Sequence, residues 1–228
     1  MNVQEAALQH EVLEELEWEP RLGSSAVEVG VEAHGVVTLT GVVTSYAEKV
    51  AAERAAKRVR GVHAVVNDID VKLPMSHERN DGDIADAVVQ ALEWNVLVPR
   101  GTIDVRVSDG WVRLEGAVDR NDERTAAEEA VQHLAGVKGI TSRITVKPHV
   151  TIDDVRERIE AALRRNAEVE ARHIRVEARD GKVVLRGHVQ SWGERAAAEV
   201  AAWAAPGVTA VDDELEVESE RGMGGGIA

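Results

Sequence analysis

Arg106, Trp111, Arg113 and Arg143 are the side chains whose types and spacing best suit binding chemistry in this sequence. A guanidinium grips an anion through charge-assisted hydrogen bonds, and an indole beside it adds stacking and cation–π attraction. The three arginines fall on three strand-like segments, each at a position opposite in parity to the apolar residues. All four side chains should therefore share the open face of one sheet. Three readings of that face stand together. It is an anion or headgroup site, a solvated charged surface with Asp104 pairing one arginine, or a partner for the acidic set Glu28, Asp68 and Asp70 earlier in the chain.

Trp18 and Trp94 form a second set. Each lies two residues beyond a helical leucine, Leu16 or Leu92, and two residues turn a helix by roughly 200°. Both indoles should point away from the core. Such rings pack between neighbouring units or on the segment after the helix, form an oligomer interface, or enter a lipid headgroup layer.

Other chemistry is poorly supported. The eight histidines form no HxH or HExxH arrangement, so no metal site is expected. The carboxylates sit at helix starts or on solvated faces, where nothing shifts them toward acid–base work. Neither GxGxxG nor GxxxxGK[ST] occurs, and cysteine is absent. No catalytic residue and no cofactor are expected. The formal net charge of −14 is spread evenly without a basic tract, which argues against nucleic acid. No run approaches the roughly 20 apolar residues of a membrane span. Met1 leads straight into an acidic amphipathic helix without a secretory signal, so a soluble, cytoplasmic protein is expected.

The elements that carry these residues repeat. Gly35, Gly110 and Gly181 each precede a second glycine, Gly41, Gly116 or Gly187, by six residues. A third glycine, at 61, 136 or 207, follows 20 residues later, each time before valine. The chain is thus a tandem of three units of about 70 residues, at 1–73, 82–148 and 150–219, with a disordered glycine-rich tail at 220–228.

Within each unit the periodicity switches from helix to strand and back. Leu8, Val12 and Leu16 start the first unit, with Ile84, Val88 and Leu92, then Val155, Ile159 and Leu163, as counterparts. Asn2, Asp81 or Asp83, and Thr151 or Asp153 are the candidate caps, and Asn95 and Asn166 suit left-handed helix stops. Asp109-Gly110 and Asp180-Gly181 are hairpin dipeptides, so the next two strands should pair antiparallel. An alanine-rich helix and a last strand complete the order αββαβ. The fold class is α+β, each unit a three-stranded sheet covered on one face by two helices. Units this small are marginal alone, so packing between them is expected. Trp203, at a position that is outward in the other units, should fill the volume lost at Ala205 or dock a neighbour. The linker from Pro74 to Gly82 is polar and long enough to flex.

The order αββαβ, the glycines six apart around Val-x-Leu, and the later Gly-Val resemble the BON domain, named for bacterial osmotic-stress and nodulation proteins. That resemblance implies a non-enzymatic module linked to phospholipid surfaces, envelope integrity and stress. It points to a phospholipid surface or a protein partner as the ligand, with a structural homo-oligomer as the alternative. The chain departs from the family pattern in lacking an export signal or lipobox and in having three units where two are commoner.

Overall fold

The structure is a computed structural model and describes residues 3–23, 26–147, 155–165, 173–205 and 207–217. The first unit runs α1 (Val3–Glu17), β1 (Ala26–Glu32), β2 (Val36–Val43), α2 (Tyr46–Arg58) and β3 (Ala64–Val71). The second runs α3 (Asp81–Trp94), β4 (Ile103–Ser108), β5 (Trp111–Val118), α4 (Asn121–Gln132) and β6 (Gly139–Val146). The third runs α5 (Val155–Arg165), β7 (Ile174–Arg179), β8 (Lys182–Val189), α6 (Trp192–Trp203) and β9 (Ala210–Val217). Each unit holds its own three-stranded sheet, with its second strand in the middle. That strand pairs antiparallel with the first and parallel with the third, the helix between them serving as the crossover.

The glycine spacing follows from backbone contacts. Asp109 and Gly110, and likewise Asp180 and Gly181, have positive φ, as a two-residue I′ hairpin turn requires. The turn then packs on the third glycine. A Cβ on Gly110 or Gly181 would lie 2.8 Å from the carbonyl oxygen of Gly136 or Gly207. The same turns accept hydrogen bonds from the segment entering the last strand, Lys138 to Gly110 at 2.9 Å and Thr209 to Gly181 at 2.8 Å. At the other end of the middle strand, Gly41, Gly116 and Gly187 also have positive φ. A Cβ there would run into the carbonyl oxygens of Ala26, Thr102 and His173 respectively.

Inward residues of both helices and all three strands close a separate core in each unit. Val12, Leu16, Val37, Leu39, Ala52, Ala56 and Ile69 are buried in the first, and Ile84, Val88, Val112, Leu114, Ala127, Val131 and Ile144 in the second. Ile159, Leu163, Val183, Leu185, Ala198, Ala202 and Leu215 do the same in the third. Inward parity on the last strand is interrupted by a polar residue. Asn67 donates to the Lys49 carbonyl and to Glu53, both at 3.1 Å, and Asp213 accepts from Arg195 at 2.7 Å. Both bond to the second helix of their own unit and tie the strand to it.

The units pack on one another through their second helices. Tyr46 of α2 lies against the core of the second unit, and Trp192 of α6 against the core of the first. Trp203 touches the cores of the second and third units together, so of the two roles expected for it docking on a neighbour is met. Lys57 sits 5.2 Å from the Trp192 ring centroid, and Arg124 4.8 Å from that of Trp203. First joins second, second joins third, and third returns to first.

Several local expectations are corrected. The cap of α3 is Asn80, whose side chain accepts from Asp83 N at 2.9 Å. The Asp81 carboxylate instead accepts from the backbone N–H groups of Asp109 and Gly110, both at 2.9 Å, and so holds the hairpin turn. Asn95 is not left-handed; at φ −79° and ψ 114° it is extended. Its side chain instead makes a local turn, accepting from Leu97 N at 3.0 Å. The Pro74–Gly82 linker is partly ordered by bonds from His77 and Glu78 to the Pro74 carbonyl. The caps expected at Asn2, Thr151 or Asp153, the stop at Asn166 and the glycine tail lie outside the described residues.

Two consequences are measurable. Gly41→Ala, at φ +119° with its Cβ aimed at a carbonyl, should lose about 2 kcal/mol or more in urea unfolding. Gly30→Ala, whose nearest neighbour would be 3.9 Å away, should stay within about 0.5 kcal/mol. Glu53 supplies a pH test. Burial pushes its carboxyl up, but hydrogen bonds from Lys57 and Asn67 outweigh it and hold the group below the usual carboxylate range. A depressed folded-state pKa stabilises above the unfolded value and is lost as pH falls through the folded one. Glu53→Gln should therefore be destabilised at pH 7, with the gap to wild type narrowing in acid.

Candidate functional site

The middle unit presents β4, β5 and β6 with one face on the helices and the other open. Strand parity sends Val105, Val112, Leu114 and Ile144 inward, and so sends Arg106, Trp111, Arg113 and Arg143 outward. Register then gathers them. Arg106 lies opposite Arg113 across the antiparallel pair, and Glu115 lies beside Arg143 across the parallel pair. The face is open to solvent, with side-chain exposures of 72% for Arg106, 46% for Arg113 and 64% for Arg143.

All three arginines converge on one carboxylate. Their guanidinium nitrogens each stand 3.9 Å from Glu115 oxygens, at the outer limit of an ion pair and beyond hydrogen-bond length. Three positive charges thus share one negative charge, and the guanidiniums retain donors for an incoming group. Asp104, the partner expected from the sequence, makes no ion pair with them among the described residues; Glu115 takes that part. The outward residue two beyond Arg113 is what the sequence reading missed, and its signal was its place on the same face of the same strand.

Trp111 completes the site. Its ring lies over Gly139, where a Cβ would collide with it, while the matching pairs in the other units are Val36 on Ala64 and Lys182 on Ala210. Arg106, Ser108, Trp111, Arg113 and Thr141 line a shallow cavity of about 330 Å³ beside the ring. Exposed guanidiniums next to an indole, with one shared counter-charge, can hold a phosphate, sulfate or carboxylate by charge and by directed donors.

Intramolecular pairing of this face with the first unit does not occur, since the arginines stay exposed. Glu28, Asp68 and Asp70 are exposed as well and make no ion pair among the described residues. The tryptophans at the helix ends are likewise free of packing between units. Trp18 is 83% exposed and Trp94 80%, and Val96 and Leu97 extend the apolar tip next to Trp94. In the third unit the open face is self-paired, Arg186 bonding Glu214 at 2.6 Å and Glu177 at 3.3 Å. Among the described residues no group of three or more His, Asp or Glu side chains is placed to hold a metal ion, and no helix is long and apolar enough to cross a membrane.

Three αββαβ units, each ruled by the same glycine contacts and each carrying a different open face, define a tandem-repeat α+β protein. The family model for the BON domain matches residues 4–72, 80–148 and 151–219, and the chain belongs to the BON-domain family. Among curated proteins it is similar to osmotically-inducible protein Y of Escherichia coli strain K12, at 32% identity over 153 residues, covering 61% of this chain and 73% of that protein. Two solved structures of CdsD, described as a structural protein of the type III secretion system of Chlamydia trachomatis, were also matched. They cover 93% and 94% of this chain, and 98% and 94% of their own, at 13% and 15% identity. Each has a TM-score of 0.26, too low to bear on arrangement or function.

Glu115 is the direct probe of this geometry. Glu115→Gln should change stability by no more than about 1 kcal/mol, because its pairs are long and its partners solvated. The same change should tighten binding of inorganic phosphate severalfold in isothermal titration, since it removes the counter-charge that the three arginines share.

Proposed function

We propose that this protein is a non-catalytic, stress-associated binding protein that engages anionic phospholipid surfaces through its middle unit. The observation that carries the reading is the set of three exposed arginines around one carboxylate, with Trp111 beside them. A lipid phosphate would take up the spare guanidinium donors, while the indole rests among the headgroups. Trp18 and the tip of Trp94, Val96 and Leu97 offer further rings and side chains of the kind that settle at a headgroup layer. The stress association is supported by the likeness to osmotically-inducible protein Y.

The acidic outer face of the first unit supports a second reading, a homo-oligomer in which that face meets the arginines of another copy. The two are separable. Under the first, the chain floats with vesicles containing anionic phosphatidylglycerol and not with phosphatidylcholine alone. The triple variant Arg106→Glu, Arg113→Glu, Arg143→Glu then loses at least tenfold in bound fraction, and Trp18→Ala with Trp94→Ala loses severalfold. Flotation unchanged by the arginine variant would refute the lipid reading. A salt-sensitive dimer in sedimentation, broken by the same variant and without vesicle binding, would establish the second.

A further inference from the structure

The three junctions of the ring are built from equivalent positions but are not filled alike. Tyr46, Asn121 and Trp192 each stand five residues after the strand-ending glycine, at the first position of the second helix. Lys57, Gln132 and Trp203 each stand sixteen residues after it. The two sets come together at the junctions: Trp192 lies 5.2 Å from Lys57, Tyr46 and Gln132 line one cavity, and Asn121 and Trp203 line another. Two junctions therefore receive an aromatic ring from the helix start. The third receives an asparagine, whose buried Oδ1, like the buried Nε1 of Trp192, has no hydrogen-bond partner among the described residues.

The residue before it changes too. Ser45 and Ser191 cap α2 and α6 with their hydroxyls, whereas α4 begins after Arg120. Trp203 reaches into this junction from the far side, but it does not fill it. A cleft of about 740 Å³ remains, within the size range of small-molecule sites. Its walls are apolar: Leu97, Ala126, Val200, Trp203, Ala205 and Val208. Val200 is 68% exposed there.

The charges at the rim set the sign of an occupant. Arg120 is forked onto Asp122 at 2.8 and 2.6 Å, and Lys147 lies 3.6 Å from Asp119, so both cations are already matched. Glu129 is the lining charge that makes no ion pair among the described residues. At the equivalent place Trp192 lies between the cations of Lys57 and Arg195, at 5.2 and 5.0 Å from its ring centroid; here Arg124, the counterpart of Arg195, stacks on Trp203 at 4.8 Å, so the charge left to meet an occupant is that of Glu129. We infer that the cleft between the second and third units binds a small molecule that has a flat aromatic ring and a cationic group. The ring takes the place that Tyr46 and Trp192 fill at the other junctions, against Trp203 and Val200, and the cation faces Glu129.

Tryptamine is the probe, titrated calorimetrically into the full chain, with indole-3-acetate as its anionic counterpart. Wild type should bind tryptamine at one saturable site and the acetate at least tenfold more weakly. Asn121→Trp, which installs the residue of the third unit, should abolish binding. So should Ala204→Trp, which fills the same cleft from an exposed helix end and keeps the test open if the first variant does not fold. Glu129→Gln should weaken tryptamine severalfold and leave the acetate no worse. The inference is overturned by an absence of saturable tryptamine binding, by binding that survives both filling variants, or by equal affinity for the two probes. It is also overturned if wild type dimerises in sedimentation, the filling variants do not, and tryptamine has no effect, because a second copy then occupies the cleft.

Discussion

Backbone meeting backbone at the glycines is the constraint on which the rest depends. The hairpin turn rests on the Gly-Val turn that feeds the last strand, and the far end of the middle strand rests on a carbonyl at the start of the first strand. A side chain at either place would force the strands apart. With both contacts made, the middle strand is fixed in register with its antiparallel and parallel neighbours at once, and register decides which side chains face out. The gathering of Arg106, Arg113 and Arg143 around Glu115 is thus a consequence of where Gly110 and Gly116 sit.

Much of the fold was legible because it rests on local patterns. Alternation placed Val112 and Leu114 inside and Trp111 and Arg113 outside, and helical spacing placed Trp18 and Trp94 outward. The structure agrees on each. What failed was local chemistry with several equivalent solutions. Asn80 caps α3 although two aspartates follow it within three residues, and Asp81 is turned instead to the hairpin. Glu115 rather than Asp104 neutralises part of the arginine face, because the parallel pairing sets it beside Arg143. Cross-strand neighbours depend on register, and residue type alone does not reveal register.

The junctions were the least legible part. Tyr46 and Trp192 hold the same repeat position, but the sequence reading singled out neither of them for a junction. Their role emerges only when whole units are docked, since nothing in the periodicity of one unit says which neighbour its helix start will meet. The same docking separates the three open faces and gives them different fates. The first is acidic and makes no ion pair at Glu28, Asp68 or Asp70 among the described residues, the second is basic around a single carboxylate, and the third is closed by its own Arg186 pairs.

The return of Trp192 to the first unit gives the chain a circular logic. An open stack of repeats can grow or shrink by one copy, because each copy touches only its neighbours and the ends stay exposed. Here the last unit covers the first, so adding or deleting a unit would leave a docking surface bare at both sides of the change. Repeat number becomes a geometric property, set by closure, as it is in a cyclic trimer of separate chains. A covalent trimer of this kind has a freedom that a symmetric one lacks. Its three subunits occupy equivalent places while their faces and junctions diverge, so one molecule can present three different surfaces on a single frame.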